Sequence, residues 1–528
     1  MPSVSSVIAR IAMLASLPLV APLVACSGGK DAPATQPSPA PPGTDPDPQP
    51  APSTDPDPSP GAGSDAAPAQ PPPDFPETTR SLELTSTVGV RFEPRDDARR
   101  IGTIAVDTRV AWQRTAKGRG CKKPWVEVKP RGWICSDYVK ASKKAPYGRE
   151  VPMLDRGELV PGTYGKVTAP NSVTYVVDKP PRDPKDKTKK KPADKKSGPV
   201  TSPRDLVETA APATAKPELK LVEGKPLVGS VNVRHYGDLT VGGRTFWKVS
   251  QKDQEYVLRQ AITLHAPSLY GGARLGDDTG LGLPGVVWPR VYSWGQAYTM
   301  YTPTGAGGQN RAIPARTIVP VLETQADKAG KPLAYRIGAN EWISAADLRV
   351  FNPAPPPPFL EKGERWVDVD LDNQILVAFE GELPVYATLV TTGATATPTQ
   401  TGVYRIWLKE SEADMKGLTG EDPYSVATVP WTQFFSDEKG LALHTAYWHD
   451  AFGTRRSHGC VNLAPRDARW LYYWSDPQVA PGWTMAAGIV ESPGSIVRVR
   501  TKDDPAPPTR EYAKKVLEAR QQNAPIHR

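Results

Sequence analysis

Trp366-Val367-Asp368-Val369-Asp370-Leu371-Asp372-Asn373-Gln374-Ile375-Leu376-Val377-Ala378-Phe379 decides the fold. Trp366 to Leu371 alternates, Asp372-Asn373 is a turn dipeptide, and an apolar run from Gln374 follows, so the stretch predicts two antiparallel strands. Val385 to Val390 supplies a third strand after Gly381, and Gly393 to Gly402 reads as a turn-rich loop. A mainly β domain is therefore expected to begin near Glu361 and to run to about Arg500.

Inside that domain lies Ser457-His458-Gly459-Cys460-Val461-Asn462, with His444 a short distance upstream. A lone cysteine between a glycine and a β-branched residue, with histidines nearby, has what a thiolate nucleophile needs: a proton acceptor and backbone room for an oxyanion. Only a few per cent of an unperturbed thiol is ionised near pH 7, so a base must assist. His458, next but one to Cys460, is the base that local sequence offers. Pro465 to Trp474, with Ala468, Leu471 and Trp474 on one face, predicts a short helix behind the nucleophile. Two other readings of the site stand beside this one. His444, His449, His458 and Cys460 are all zinc-ligand types, but their spacing matches no common zinc pattern. Arg455 and Arg456 are either solvated or hold a substrate carboxylate, for which arginine is suited.

The strand pair, the loop ending Thr399-Gln400-Thr401-Gly402-Val403-Tyr404-Arg405, then His444-Thr445-Ala446-Tyr447-Trp448-His449, and finally Ser457 to Leu463 resemble the L,D-transpeptidase catalytic domain, or YkuD domain, over residues 362–501. Many members carry Arg where Asn462 stands, and often Gly or Ser at the position of Thr445. The resemblance implies a β-sandwich with a short helix after the nucleophile. It makes Cys460 the nucleophile, His444 the proton acceptor and donor, and His458 with Gly459 part of the oxyanion site; Thr445 would orient His444 through its carbonyl. Ser457, Asn462, Arg456, Tyr447 and Trp448 are then expected at the substrate, a peptidoglycan stem peptide. Cys460 would attack the third, L-configured centre of a tetrapeptide stem, expel D-alanine and leave a thioester. A neighbouring stem's amine gives a 3-3 cross-link, a D-amino acid gives exchange, and water gives carboxypeptidase activity. No cofactor and no metal is called for, and carbapenem-type β-lactams are expected to acylate the cysteine.

Upstream, Asn352 to Pro358 marks a boundary, because consecutive prolines cannot enter a sheet. Residues 220–352 are β-rich, with strands around Val231 to Arg234, Thr245 to Val249 and Thr317 to Val321. Trp342-Ile343-Ser344-Ala345-Ala346-Asp347-Leu348 echoes Trp133-Ile134-Cys135-Ser136-Asp137-Tyr138-Val139, which hints at an internal repeat. His235 and His265 have no partner at ligand spacing and read as ordinary strand or loop histidines. Residues 81–142 break into short strands that suggest a small barrel and resemble the SH3-like domains of bacterial cell-wall proteins. Cys121 and Cys135 fall on its neighbouring strands. In an exported protein a disulfide is expected there, worth on the order of 3 kcal/mol.

The 528 residues include 60 prolines, so a good part of the chain cannot bury a core. Residues 26–76 read as a Pro/Asp-rich disordered tether extending at about 3 Å per residue where stiff. Residues 178–200 read as a lysine-rich disordered insertion, either solvated or bound to anionic wall polymer. Residues 502–528 form a tail with a helix from Glu511 to Gln522, on the surface or frayed. A net charge of +8 fits association with an acidic polymer or surface, and without a basic helix or aromatic-interleaved patch it does not indicate a nucleic-acid partner. Arg10 and the proline-broken apolar run Ile11 to Val24 read as a signal peptide, residues 1–25. Leu23-Val24-Ala25-Cys26 resembles a lipobox, which implies a lipid anchor on Cys26; Ser27 after it favours the periplasmic side of the outer membrane. Two other functions stay open, a peptidoglycan hydrolase using the same cysteine and a wall-binding adaptor built on the SH3-like modules. Oligomeric state is not legible.

Overall fold

The computed structural model describes residues 75–178, 220–276, 284–287, 295–302, 305–352, 354–417 and 423–523. Cys26, the tether up to residue 74 and the lysine-rich stretch from residue 179 lie outside the described residues. Among those described, the molecule is mainly β, with a C-terminal β-sandwich and a short helix at residue 465.

The alternating stretch forms a hairpin, Arg365–Asp370 against Ile375–Glu380, with Trp366 opposite Phe379. Leu383–Leu389 adds to one side, and Ala273–Arg274 pairs with its outer edge. On the other side Ile496–Arg500 runs parallel to Arg365–Asp370, followed by Gly402–Arg405. Both faces of this sheet are covered, and for that reason its strands carry apolar residues at successive positions. Val367, Val369 and Leu376 pack in one core with Leu443, Val461, Leu463 and Leu471. Trp366, Val377 and Phe379 pack on the opposite face with Phe351 and Phe452. Asp368, which alternation alone would leave polar and outward, is buried and held by Arg498 at 2.5 Å and Arg500 at 2.8 Å.

The second layer contains Leu408–Gly417, Tyr424–Ser436 and Trp483–Ala487, with Leu441–Thr445 and Val461–Leu463 attached to it. Helix α1 (Pro465–Trp474) leaves this layer directly after the cysteine-bearing turn, and Pro465 at its first position fixes the start. Its buried face is Ala468, Leu471 and Tyr472, with Trp474 only half-buried. At its C-terminus the buried Lys409 Nζ donates to the carbonyls of Tyr472 (2.7 Å) and Ser475 (2.5 Å), using up acceptors that the helix leaves over, while burial pushes the amine's pKa well down. Near its N-terminus the buried Asp467 carboxylate accepts from Gly272 N–H at 2.8 Å and Tyr386 O–H at 2.7 Å, and from Thr388. Burial pushes Asp467 up to about 6 despite these donors.

The second layer does not end at the sandwich. Trp483–Ala487 pairs antiparallel with Arg100–Ile104, which leads into the strands of residues 81–142 and the Cys121–Cys135 disulfide. Gly102 makes this junction possible: a Cβ there would lie 2.2 Å from the Trp483 ring. At the other flank Ser230–Arg234 runs parallel to the start of Tyr424–Ser436, pairing Ser230, Val231 and Asn232 with Tyr424, Ser425 and Val426. Tyr164–Val167 and Ile262–Leu264 continue from there.

One local unit recurs: a short strand, a single tight turn, and another strand. It appears as Trp133–Cys135 with Val139–Ser142, as Glu255–Leu258 with Ile262–Leu264, and as Glu341–Ser344 with Leu348–Val350. The middle copy, Tyr256-Val257-Leu258-Arg259-Gln260-Ala261-Ile262, keeps the apolar positions of the other two and little else. The C-terminal segment is a docked helix rather than a frayed end. In α2 (Glu511–Asn523) Tyr512, Ala513 and Val516 are buried, and Arg520 reaches Glu364 at 2.7 Å.

Candidate active site

Leu441–Thr445 and Val461–Leu463 lie parallel, with Leu443 beside Val461 and His444 beside Asn462. This register brings the histidine strand next to the residues that immediately follow Cys460. The turn before the cysteine is held by a loop from Thr391 to Thr399. Arg456 and Ser457 N–H groups donate to Thr392 O at 2.9 and 3.0 Å, and Ala394 N–H to Ser457 O at 2.9 Å. Thr397 Oγ1 donates to Ser457 O at 2.9 Å and Thr399 Oγ1 to Gly459 O at 2.7 Å. The turn closes on itself through Ser457 Oγ, which donates to Cys460 O at 2.6 Å and accepts from Gly459 N–H at 3.2 Å. Gly459 sits at φ +123°, a conformation that L side chains rarely adopt. Among the described residues, the backbone N–H of Cys460 donates to no protein group.

Cys460 is the free thiol among the described residues; Cys121 and Cys135 are bonded to each other. Its Sγ is 3.7 Å from Gly440 O, and burial pushes the thiol up to about 11. His444 is buried, and its Nδ1 lies 2.9 Å from Thr445 O. A carbonyl can only accept, so Nδ1 carries the proton and Nε2 presents a lone pair. Burial holds this imidazole down at about 4, so it is neutral at pH 7.

Cys460, His444, Ser457, His458 and Asn462 line one cavity of about 350 Å³, together with Trp448, His449 and Arg456. His458 stacks on Tyr424 at 4.4 Å, and the Asn462 amide sits 3.0 Å from His449 Nε2. Tyr447, expected at the substrate, is a core residue instead. It is fully buried, stacks on Tyr164 at 4.0 Å and donates to Ala427 O at 2.8 Å, so it braces a wall from behind. Arg455 points elsewhere, donating to Leu371 O at 2.8 Å. Among the described residues, the group of metal-ligand types that converges is Cys121, Cys135 and Asp137, whose sulfurs are in the disulfide; His444, His449, His458 and Cys460 do not form such a group.

Four further lining residues come from far upstream: Lys166, Ser230, Asn232 and His265. In the sequence Asn232 reads as a strand residue and His265 as an ordinary histidine, and neither Lys166 nor Ser230 stands out. No local signal marks them, since their place depends on a strand pairing between residues some 190 positions apart.

Residues 364–499 match the family model of YkuD, the L,D-transpeptidase catalytic domain. Among solved structures the chain is similar to a cysteine-to-serine mutant of an Enterococcus faecium L,D-transpeptidase, at 25% identity and a TM-score of 0.22, over 29% of this chain and 55% of that one. It is also similar to an L,D-transpeptidase from Stackebrandtia nassauensis, at 29% identity and a TM-score of 0.20, over 26% and 57%. A third, from Mycobacterium smegmatis, gives 18% identity and a TM-score of 0.22 over 35% and 90%. The chain thus spans little more than half the length of the first of these. No curated protein is matched.

Proposed function

We propose that this protein is a peptidoglycan L,D-transpeptidase working through a thioester on Cys460. One observation carries the reading: within the stretch that matches the YkuD model, a free thiol shares a cavity with a buried imidazole whose Nδ1 proton is tied to the Thr445 carbonyl. At neutral pH the resting pair is a thiol and a neutral imidazole, because burial disfavours both ions. The proton therefore moves when the carbonyl arrives. Cys460 Sγ bonds to the carbonyl carbon of the third stem residue as its proton passes to His444 Nε2, and the oxyanion faces the Cys460 N–H. Collapse breaks the C–N bond, and His444 returns the proton to the departing D-alanine amine. A neighbouring stem's amine then attacks the thioester and gives its proton to His444. The C–S bond breaks and that proton restores the thiol.

The test is the full chain in detergent with disaccharide tetrapeptide, followed by mass spectrometry against a Cys460→Ala control. A Cys460-dependent joined species with loss of D-alanine supports transpeptidation. Tripeptide alone means a carboxypeptidase, and no product overturns the reading. The remaining N-terminal expectations belong to the same proposal: lipid on Cys26, residence at the periplasmic face of the outer membrane, and wall attachment through SH3-like modules. Fatty-acid labelling lost in Cys26→Ala, and sacculus binding lost on deleting residues 81–350, are the corresponding measurements.

A further inference from the structure

We infer that the strand Tyr164–Val167, from the region before the catalytic stretch, supplies a carboxylate-binding subsite to the Cys460 cavity, with Lys166 as its cation. The inference rests on the stem-peptide reading and deepens it.

Three strands carry the subsite: Ile262–Leu264, Tyr164–Val167 and Ser230–Arg234, in that spatial order. In their registers Lys166 lies opposite Thr263 on one side and Asn232 on the other. Alternation then puts Lys166 on the same face as Tyr164, and Tyr164 points into the catalytic domain, stacked on Tyr447 with its O–H donating to Thr428 O at 3.2 Å. The same face of the neighbouring strand carries Ser230 and Asn232, which also line the cavity. The three-stranded unit is fixed against the catalytic layer by the parallel ladder at Tyr424, by that aromatic pair and by an ion pair from Arg234 to Glu412. Lys166 therefore stands on a wall of the Cys460 cavity that is tied to the layer carrying His444.

Charge supports the same conclusion. The described residues lining the cavity include two permanent cations, Lys166 and Arg456, and no Asp or Glu. They reach it from different directions, Arg456 on the nucleophile turn and Lys166 on the upstream strand. His265 does not add a third charge. It is 2.7 Å from Asn232 Oδ1, and burial with the Lys166 ammonium nearby holds it down at about 4. Neutral His265 donates to the buried Asn232, leaving the ammonium as the charge on this wall. A pocket of one sign of charge with low-dielectric walls concentrates the opposite charge, and a stem peptide carries several carboxylates.

The experiment is a cycle between Lys166 and the substrate's carboxylates, run on the full chain in detergent. Tetrapeptide stems are made with each free carboxylate amidated in turn. Lys166→Met is expected to raise KM about tenfold with kcat little changed, the size of one charge-assisted contact. Lys166→Arg keeps most of the affinity. One amidated peptide should show the same rise on the unaltered chain, and Lys166→Met should then add nothing. An unchanged KM in Lys166→Met, or an effect that persists on every amidated peptide, overturns the inference. Lys166 is exposed, so its variants keep the melting temperature. Calorimetric binding of the same peptides to Cys460→Ala requires no turnover. A Lys166-dependent Kd there, on a chain that yields no product when Cys460 is present, would sustain the subsite while the transpeptidase reading failed.

Discussion

The layer that carries His444 is extended at both flanks, and the two extensions differ. At Trp483–Ala487 the residues 81–142 segment joins through an antiparallel ladder tight enough to require glycine at position 102. At Tyr424–Val426 the middle segment joins through three parallel pairs, secured by polar and aromatic side chains. The first extension places no residue in the Cys460 cavity among those described, whereas the second places four there. The same device, continuation of a sheet, thus braces the layer on one side and lines the cavity on the other. Distance along the chain predicts neither role.

Four measurements break or sharpen that contrast. The reference is Cys460→Ala, expected to lose at least about 10³-fold in turnover with melting unchanged, since the thiol is the proposed nucleophile. A small loss would remove the cavity from the chemistry and the contrast with it. Next, Gly102→Val forces a side chain into the Trp483 ring and should cost about 1–3 kcal/mol of stability in denaturant unfolding, with KM untouched. A large change in KM would mean that the first extension also shapes the site. At the other flank, Asn232→Leu removes the acceptor for His265 beside Lys166 and is expected to raise KM several-fold while costing about 1 kcal/mol. An unchanged KM in Asn232→Leu would erase the distinction. Smallest is a pH effect behind the nucleophile. Asp467 has its folded value raised to about 6 from about 4, so its contribution is present below pH 4 and declines as pH rises to 6. Asp467→Asn should flatten that decline in thermal melts between pH 4 and 6.

Local signals were legible and long-range pairings were not. The hairpin at Trp366, the helix starting at Pro465 and the cysteine turn each follow from a period, a proline or a glycine within a few residues. Ile496–Arg500 as the parallel neighbour of Arg365–Asp370 does not, because nothing within five residues specifies a partner more than a hundred positions away. Tyr447 illustrates the same limit: adjacent to the histidine pair it read as a substrate contact, yet Tyr164 occupies its ring face. The repeat was half visible. Trp342 echoes Trp133, but the copy at Tyr256 keeps only the apolar positions, which many strand pairs share.

The flanking ladders also bear on how the chain can be cut. Residues 362–501 expressed alone would carry three raw strand margins, at Trp483–Ala487, at Tyr424–Val426 and along Leu383–Leu389, each now paired by upstream chain. Unpaired N–H and C=O rows of that kind recruit strands from other molecules. A fragment trimmed to these residues is thus expected to be aggregation-prone and missing a wall of its own cavity, and the shortest well-behaved form of this protein should begin near Ser81.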